Sequence, residues 1–544
     1  MNRWSISLIL SGLLIWISPA PARQHSHTKK EIGDVHFAIS STRPETQEAF
    51  NNAMALLYSF AYADAFRAFN EITLTDHQCA MAYWGMAQSF FHPVWEEVPT
   101  AENVKIAQEA IRMARRVGIK TEREKDYIDA IEIMYSNIGK TEYPQRVLEY
   151  QKAMEKMYEK YAGDQEAAIL YALILDATAP KTDKSYAQQR KAGQILLKIF
   201  DEQPNHPGVV HYIIHAYDYP PLAGLALNAP RKYAKIAPAV PHALHMPSHI
   251  FVRLGLWEDN IATNIASAST ALELAHKTNP TYSSFDALHA WDYMMYGFLQ
   301  VGKDKEARRL LDTVQAIRTI DRANFAAAYA LSAIPARYAL ERHDWKSAAA
   351  LTSQPVEFPW GRFPFFEALT WYAKGMGAAN IGDTGSARAA IEKLQSLYEA
   401  SLKAKEPYWA NQVDILRNSV QAWVLHAEGK NDEALKTMRA VADHEDATGK
   451  HAVTPGSLIP QRELLGDLLI ELNQPKDALV EFESSFITTP NRFNGIAGAA
   501  LAAERSGDRG KARKYYMALV DLTRSTDVTR REVDQARTFL SKNQ

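Results

Sequence analysis

Apolar residues along most of the chain recur every three or four positions, and no strand-like alternation of useful length is present. Segments with helical spacing come in pairs, and a Gly or Asp turn separates the two members near Gly302, Asp344, Gly382 and Gly429. One helical hairpin cannot bury its apolar face alone, so neighbouring hairpins must stack into a common core. The pattern therefore predicts an all-α solenoid of helical hairpins.

One of these pairs carries a recognisable motif, beginning with the letters LGDLLIELNQPKDALVEFESSFITTP at Leu465. Its motif positions are Leu465, Gly466, Leu469, Ala478, Phe482 and Pro490. The next stretch has Ala500, Ala512 and Tyr516 at the same period. Both stretches resemble tetratricopeptide repeats, although the first lacks the aromatic start and the tyrosine of that pattern. The resemblance implies a right-handed superhelix whose first helices line the concave side, where a protein or peptide partner binds.

The repeat pattern and its interruptions divide the chain into segments. Near the N-terminus, Tyr58–Phe69 and Ala82–Phe91 are predicted helices with small residues for close packing. A Pro- and aromatic-rich stretch interrupts the helical pattern after residue 350 and is predicted to join two arrays. The predicted boundaries are a signal peptide at 1–22, a tail at 23–45, an N-terminal array at 46–350, the joint at 351–368, C-terminal repeats at 369–525 and a terminal helix or tail at 526–544.

Histidines concentrate in one stretch, which holds six of the chain's 17, between residues 206 and 250. His211, His215 and Asp218 have i, i+4, i+7 spacing, which places them on one helix face. A second set with the spacing i, i+3, i+7 is formed by His242, His245 and His249. The offset from His211 to His245 and from His215 to His249 is 34 residues, so both HxxxH pairs occupy the same place in successive repeats. His206 precedes Pro207 at a helix start and is not expected to join them.

The paired HxxxH motifs predict a transition-metal site, because imidazoles from adjacent packed helices can reach one ion. Imidazole with carboxylate suits Zn, with Fe, Mn, Cu and Ni as alternatives, and argues against Ca and Mg. Two arrangements are open, a single four-nitrogen site or two smaller sites. The candidate metal ligands are His211, His215, Asp218, His242, His245, His249, His289 and Asp292. Arg253 and Tyr217 are candidate residues of a ligand groove.

The same histidines are also consistent with two hypotheses that involve no metal. They can line a groove for an acidic peptide or glycan, or they can be hydrogen-bonded interior residues. The function predicted first is a binding scaffold with a metal or ligand site, and the alternatives are a metal-dependent hydrolase and a pure interaction scaffold. The HxxxH pairs lack the Glu of HExxH, so a hydrolase needs a base from elsewhere, and Glu96, Glu97, Tyr217 and Asp218 are the candidates.

The N-terminus predicts export. Arg3 precedes the short apolar run at 6–17, and Ala20-Pro21-Ala22 has the small residues of a cleavage site. Cleavage there leaves a soluble periplasmic or secreted protein, and an uncleaved anchor is the alternative. The new amino terminus Arg23-Gln24-His25 has the pattern that binds Cu(II) or Ni(II), although the favoured interpretation is a loose polar tail that happens to contain His25. Cys79 is the only cysteine, so the chain contains no internal disulfide and no cysteine zinc cluster. A net charge of -2 without basic patches gives no sign of a nucleic-acid partner.

Overall fold

A computed structural model describes residues 29–41, 43–95, 97–451, 453–528 and 530–542. The predicted signal peptide and its cleavage site lie outside the described residues. Within them, helices follow one another along the chain, and the extended pairings are two isolated bridges rather than strands. The predicted all-α fold class is confirmed.

In the first half of the chain, long helices predominate as far as α10, and shorter helices follow. These helices are α1 Lys29–Ile32, α2 Pro44–Tyr58, α3 Tyr62–Thr75, α4 Ala80–Gln88, α5 Ala101–Val117, α6 Glu122–Tyr135, α7 Tyr143–Lys160, α8 Gln165–Ala177, α9 Ala187–Glu202, α10 Pro207–Tyr217, α11 Ala223–Ala226, α12 Pro230–Ile236, α13 Pro241–His245 and α14 Pro247–Leu254.

The second half is more regular. Its helices are α15 Trp257–Thr278, α16 Phe285–Gln300, α17 Asp304–Gln315, α18 Phe325–Leu340, α19 Trp345–Ala349, α20 Pro364–Asn380, α21 Thr384–Lys403, α22 Pro407–Ala427, α23 Asn431–Ala447, α24 Gln461–Glu471, α25 Pro475–Ser485, α26 Phe493–Ser506, α27 Arg509–Leu522 and α28 Arg531–Lys542, with a 3₁₀ turn at Trp360–Arg362.

Helices stack as a repeat architecture requires. Each helix packs on its hairpin partner, as α20 does on α21 and α22 on α23, and first helices of successive hairpins also touch. Those first helices form a row, α16 against α18, α18 against α20 and α20 against α22, and the row extends back through α13 and α14 to α10. The predicted solenoid of helical hairpins is confirmed by these contacts.

Small residues at the motif positions allow the helices to approach closely. Gly466 of α24 lies against the ring of Phe482 in α25, and a Cβ built at that glycine would stand 2.7 Å from the ring. Gly498 of α26 faces the same ring from the next hairpin, and a Cβ built at Gly498 would stand 2.3 Å from that ring. Ala478, which matches the alanine of the repeat pattern, is fully buried. The motif read from the sequence therefore marks real contact points between helices.

The apolar side chains form two cores among the described residues. One runs from Ile32 to Ile250 and the other from Val252 to Phe539, so the change of core falls inside α14. The predicted joint at 351–368 is a loop with one 3₁₀ turn only as far as Phe363, because α20 begins at Pro364 and its first turn takes in the end of the predicted joint. Phe358 and Phe363 of the loop are buried in the second core. The segment boundaries drawn from the sequence remain predictions.

Two helix predictions near the histidines were wrong in detail. Tyr58–Phe69 is two helices, since α2 ends at Tyr58 and Phe60 has a positive φ of 58°. The helix of the second histidine set is divided into α13 and α14, because Pro247 cannot donate a backbone hydrogen bond. Met246 between them keeps helical angles, so the histidine face continues across the break.

None of the described helices is both long enough and apolar enough to cross a membrane.

The close contact at Gly466 predicts a cost for any larger residue there. Gly466→Ala should lower the free energy of unfolding by about 1–3 kcal/mol, because the methyl group would overlap the Phe482 ring. Gly163→Ala is the matched control, since a Cβ at Gly163 meets nothing within 4 Å, and its effect should stay within about 0.5 kcal/mol. Urea unfolding of both variants measures the difference, and equal effects would contradict the packing described.

Candidate metal centre

Two trios of histidines lie side by side where α10, α13, α14 and α16 meet. In each trio the three candidate ligand nitrogens lie within 4.8 Å of one another. The first trio is His211, His215 and His242, and the second trio is His245, His249 and His289. Each combines an HxxxH pair with one histidine from the first helix of the following repeat. Of the two arrangements left open by the sequence, the geometry favours two smaller sites.

In the second trio, hydrogen bonds fix the protonation of both HxxxH rings. The His245 Nδ1–H donates to the side-chain oxygen of Asn264 at 2.6 Å. That oxygen is identified because the Asn264 amide nitrogen donates to the carbonyl and side-chain oxygens of Asn260. The His249 Nδ1–H donates to a carboxylate oxygen of Asp218 at 2.9 Å. In the neutral rings both protons are therefore on Nδ1, and both Nε2 atoms carry a lone pair.

Those two lone-pair nitrogens face each other. The Nε2 atoms of His245 and His249 are 3.0 Å apart, which is hydrogen-bond distance without a hydrogen to share. A cation bound between the two nitrogens would remove the repulsion between their lone pairs. Two nitrogens each about 2.0–2.1 Å from one ion lie about 2.8–3.4 Å apart when the bond angle is about 90–110°. The observed separation fits cis ligands of one metal.

The first trio has a similar arrangement of rings, but of its HxxxH pair only His211 has its proton placed by a hydrogen bond among the described residues. The His211 Nδ1–H donates to the carbonyl of Tyr58 at 2.7 Å, and its Nε2 lies 3.1 Å from the Nε2 of His215. The third member, His242, has a buried Nε2 without a hydrogen-bond partner among the described residues. The Phe60 ring packs on all three imidazoles, with its centroid 4.3 Å from that of His211. The turn that ends α2 thus supplies both the Tyr58 carbonyl and an apolar wall.

Burial keeps these imidazoles neutral. It is the largest cause that lowers the pKa of every member of both trios, and the neighbouring imidazoles or Lys450 act in the same direction on most of them. The pKa of His245 falls to about 4. Asp218 favours a charged His249, but Lys450 and Arg253 share that carboxylate, so burial prevails. Neutral imidazole is the form that binds a metal.

Asp218 supports the site from outside the trios. Its carboxylate accepts from His249, from the Arg253 Nε at 3.1 Å and from Lys450. Arg253 also donates to the carbonyl of Pro455 at 2.8 Å. The predicted groove residue Arg253 is thus engaged within the protein, and Asp218 orients a histidine. A carboxylate behind a histidine is typical of metal sites, where it fixes the ring and its tautomer.

The remaining predicted residues lie apart from the ligand atoms of the trios. Asp292 is fully buried on α16, and its Oδ1 lies 3.8 Å from Arg337 Nε, while burial raises its pKa to about 6. Tyr217 packs its ring against Gly193 of α9. His206 caps α10, where its Nδ1 accepts from the Val209 N–H at 3.2 Å, as its place before Pro207 led us to expect.

The candidate bases for hydrolysis are also occupied. Glu97 accepts a hydrogen bond from His92 Nδ1 at 2.8 Å. Glu96 lies outside the described residues. Asp218 is shared among three donors, as described above. Tyr217 and the other residues placed so far thus offer no free base at the ligand nitrogens in the part of the chain that is described.

Several residues of the site carried no signal in the sequence. Lys450 reaches Asp218 from a loop more than 200 residues away, and Tyr293 donates its hydroxyl to Val453 of the same loop. Asn264 is an ordinary polar residue on α15, and Phe60 belongs to a turn predicted as helix. Their roles depend on long-range packing, which a local pattern does not encode.

No family model and no curated protein matches the chain. Among solved structures, a chain of the crystal structure of the APC/C hetero-tetramer Cut9–Hcn1 is similar over 91% of this chain and 89% of that chain. The sequence identity is 14% and the TM-score is 0.32, so this likeness carries no argument about function. The fold assignment rests on the helix pairs of the protein itself.

The neutral imidazoles predict that the metal-free protein loses stability in mild acid. Unfolding releases each histidine to an ordinary pKa of about 6.5, so the unfolded chain binds more protons as pH falls below that value. Each such histidine then lowers the free energy of unfolding by up to about 1.4 kcal/mol per pH unit. The stabilising contribution is complete above about pH 7 and declines toward the depressed folded-state pKa.

A difference measurement isolates this effect, because buried carboxyls with raised pKa, such as Asp292 and Asp176, act in the opposite direction. Unfolding of the metal-free wild type and of His211→Gln/His245→Gln should be followed from pH 7.5 to 5. The wild type should lose stability more steeply than the variant. Parallel pH curves would show that these imidazoles are not held neutral.

Proposed function

We propose that this protein is an exported helical-repeat scaffold that binds a transition metal through its histidine trios. The observation that carries the proposal is the 3.0 Å separation between the Nε2 atoms of His245 and His249, whose Nδ1 protons are both already donated. A third histidine, His289, has a candidate ligand nitrogen within 4.8 Å of theirs. Burial disfavours a proton at this point, so a metal ion is the cation that the geometry suits best.

The donor set narrows the choice of metal. Each trio offers three imidazoles without thiolate or carboxylate, a set that suits Zn first and also Cu, Fe, Ni and Mn. Three protein ligands leave a fourth position of a tetrahedral ion open to water or a small ligand. Asn264, Asp218 and the Tyr58 carbonyl hold the rings in the metal-binding tautomer, as partners of metal-binding histidines commonly do.

Export is the second part of the proposal, and it rests on the sequence. The leader predicted at residues 1–22 ends in Ala20-Pro21-Ala22. The lone Cys79 is buried, so the fold does not depend on disulfides in an oxidising compartment. A periplasmic or secreted scaffold that uses imidazole instead of thiolate ligands is chemically suited to such a compartment.

A pocket in the C-terminal half supports a peptide partner. It has a volume of about 200 Å³ and is lined by Trp345, Trp423, Asp467 and Tyr516, among others. Burial raises the pKa of Asp467 to about 8, with Glu463 and Glu471 acting in the same direction. The indole N–H of Trp423 is buried without a hydrogen-bond partner among the described residues. A peptide with a basic side chain would supply a cation for Asp467 and a carbonyl for Trp423.

The metal proposal predicts about one or two equivalents of a transition metal in the purified mature protein. Elemental mass spectrometry should detect this metal in the wild type and find it lost in His211→Ala/His245→Ala. The double substitution removes one imidazole from each trio. His77→Ala is the matched control because His77 is exposed and outside the cluster, and it should retain the metal.

Absence of metal from the wild type, even after reconstitution with Zn(II), Cu(II), Ni(II), Mn(II) and Fe(II), would overturn the metal proposal. The histidines would then belong to an organic-ligand groove or to a packed interior. Circular dichroism of the variants separates loss of metal ligands from loss of fold, since a folded variant keeps its helical signal.

The pocket predicts a preference for basic peptides. Titration calorimetry with acetyl-Gly-Arg-Gly-amide and acetyl-Gly-Glu-Gly-amide should show binding of the first alone. Asp467→Asn should weaken that binding by about tenfold, the equivalent of about 1.4 kcal/mol. Asp443→Asn, which changes an exposed carboxylate, should leave it unchanged. Equal affinity for both peptides would contradict the proposed partner chemistry.

A further inference from the structure

We propose that the two histidine trios hold two divalent ions at the same time, as a pair bridged by one small oxygen-donor anion, which is hydroxide when no other is present. This inference rests on the proposed function and adds to it the number of ions, their relation to each other and the class of exogenous ligand. It is carried by the repetition of the site, by the distances between rings and by the charges around them.

The site is duplicated by the repeat. His211 and His215 of α10 take their third partner, His242, from α13, which opens the next repeat. His245 and His249 of that repeat take theirs, His289, from α16. The middle repeat thus offers one HxxxH pair to its own site and one histidine to the site before it, while the repeat before it supplies only a pair and the repeat after it only His289. Helix α13 carries His242 for one trio and His245 for the other, which fixes the two sites together.

The two trios are close neighbours. Ring centroids of His215 and His249, which belong to different trios, are 6.2 Å apart, and those of His242 and His245 are also 6.2 Å apart. Within the second trio, His249 and His289 have centroids separated by 6.3 Å. Other ring centroids inside the trios are 4.2–5.0 Å apart, so the spacing between the trios equals only the widest spacing inside one. Two bound ions would still be immediate neighbours.

Charge then requires an anion. Both trios consist of imidazoles, which bring no negative charge to two divalent ions. Asp218 stands behind His249, but Arg253 and Lys450 already pair with it. Repulsion between two adjacent ions in a buried site is large unless an anion lies between them. A hydroxide bound to both ions supplies that charge and fills the open position of each.

The series stops after two sites. In the third repeat, Asp292 stands one turn after His289, at the place held by His245 one repeat earlier. Asp292 is fully buried, and it faces Arg337, whose Nε is 3.8 Å from its Oδ1. This ion-paired carboxylate replaces the first histidine of a further HxxxH pair. The described residues therefore form two candidate metal sites. Among them, no third histidine trio follows along the row of first helices.

Copper loading tests the pair, because two Cu(II) ions joined by a hydroxide couple their spins and lose most of their EPR signal. Every chain in this experiment, including the one called wild type here, carries His25→Ala, because the amino terminus predicted after cleavage, Arg23-Gln24-His25, would itself bind Cu(II). Loaded wild type should contain about two copper ions per chain with an EPR intensity far below two spins. His289→Ala and His242→Ala, which each disrupt one trio, should contain about one copper with full intensity.

The outcomes distinguish this inference from the proposed function. Two coppers with full two-spin intensity would overturn the bridged pair, and so would one copper in wild type, while both would leave metal binding intact. No bound copper or zinc in wild type would overturn the proposed function itself. These readings come from the wild type, so they hold even if a variant fails to fold.

Discussion

The candidate site depends on one constraint, which is the placement of two lone pairs at hydrogen-bond distance inside a protein. His245 and His249 each donate their only N–H, to Asn264 and Asp218, and their unprotonated Nε2 atoms lie 3.0 Å apart. Such a contact is unfavourable unless a cation occupies it. The surrounding structure keeps the rings there, because burial disfavours their protonation and the hydrogen bonds to Asn264 and Asp218 prevent the rings from rotating.

The two halves of the chain cooperate in that placement. The apolar cores divide within α14, close to the histidines, so the site lies at the boundary between them. The loop around Lys450 closes over it from the C-terminal half, through Lys450 to Asp218, Arg253 to Pro455 and Tyr293 to Val453. A scaffold of stacked hairpins usually has contacts between neighbours only, whereas this loop joins distant repeats at the cluster.

The sequence was sufficient for the helical repeats and for the cluster, because both are local and periodic. Gly466 and Ala478 mark close helix contacts, and the 34-residue offset placed His211 and His245 in equivalent positions. The roles of the two carboxylates could not be predicted from the sequence. Asp218 and Asp292 share a face with histidines, yet one faces Arg253 and Lys450 and the other faces Arg337, partners that only the packed structure brings near. The break at Phe60 was missed because a left-handed turn at a phenylalanine has no compositional mark.

Anomalous X-ray diffraction from crystals of zinc-loaded protein, recorded on both sides of the zinc absorption edge, tests the central claim most directly. The account predicts an anomalous peak about 2.0–2.1 Å from the Nε2 atoms of His245 and His249, with His289 as a further ligand. A site without an anomalous peak, in which one of the two rings has turned so that its Nδ1–H no longer reaches Asn264 or Asp218, would contradict it.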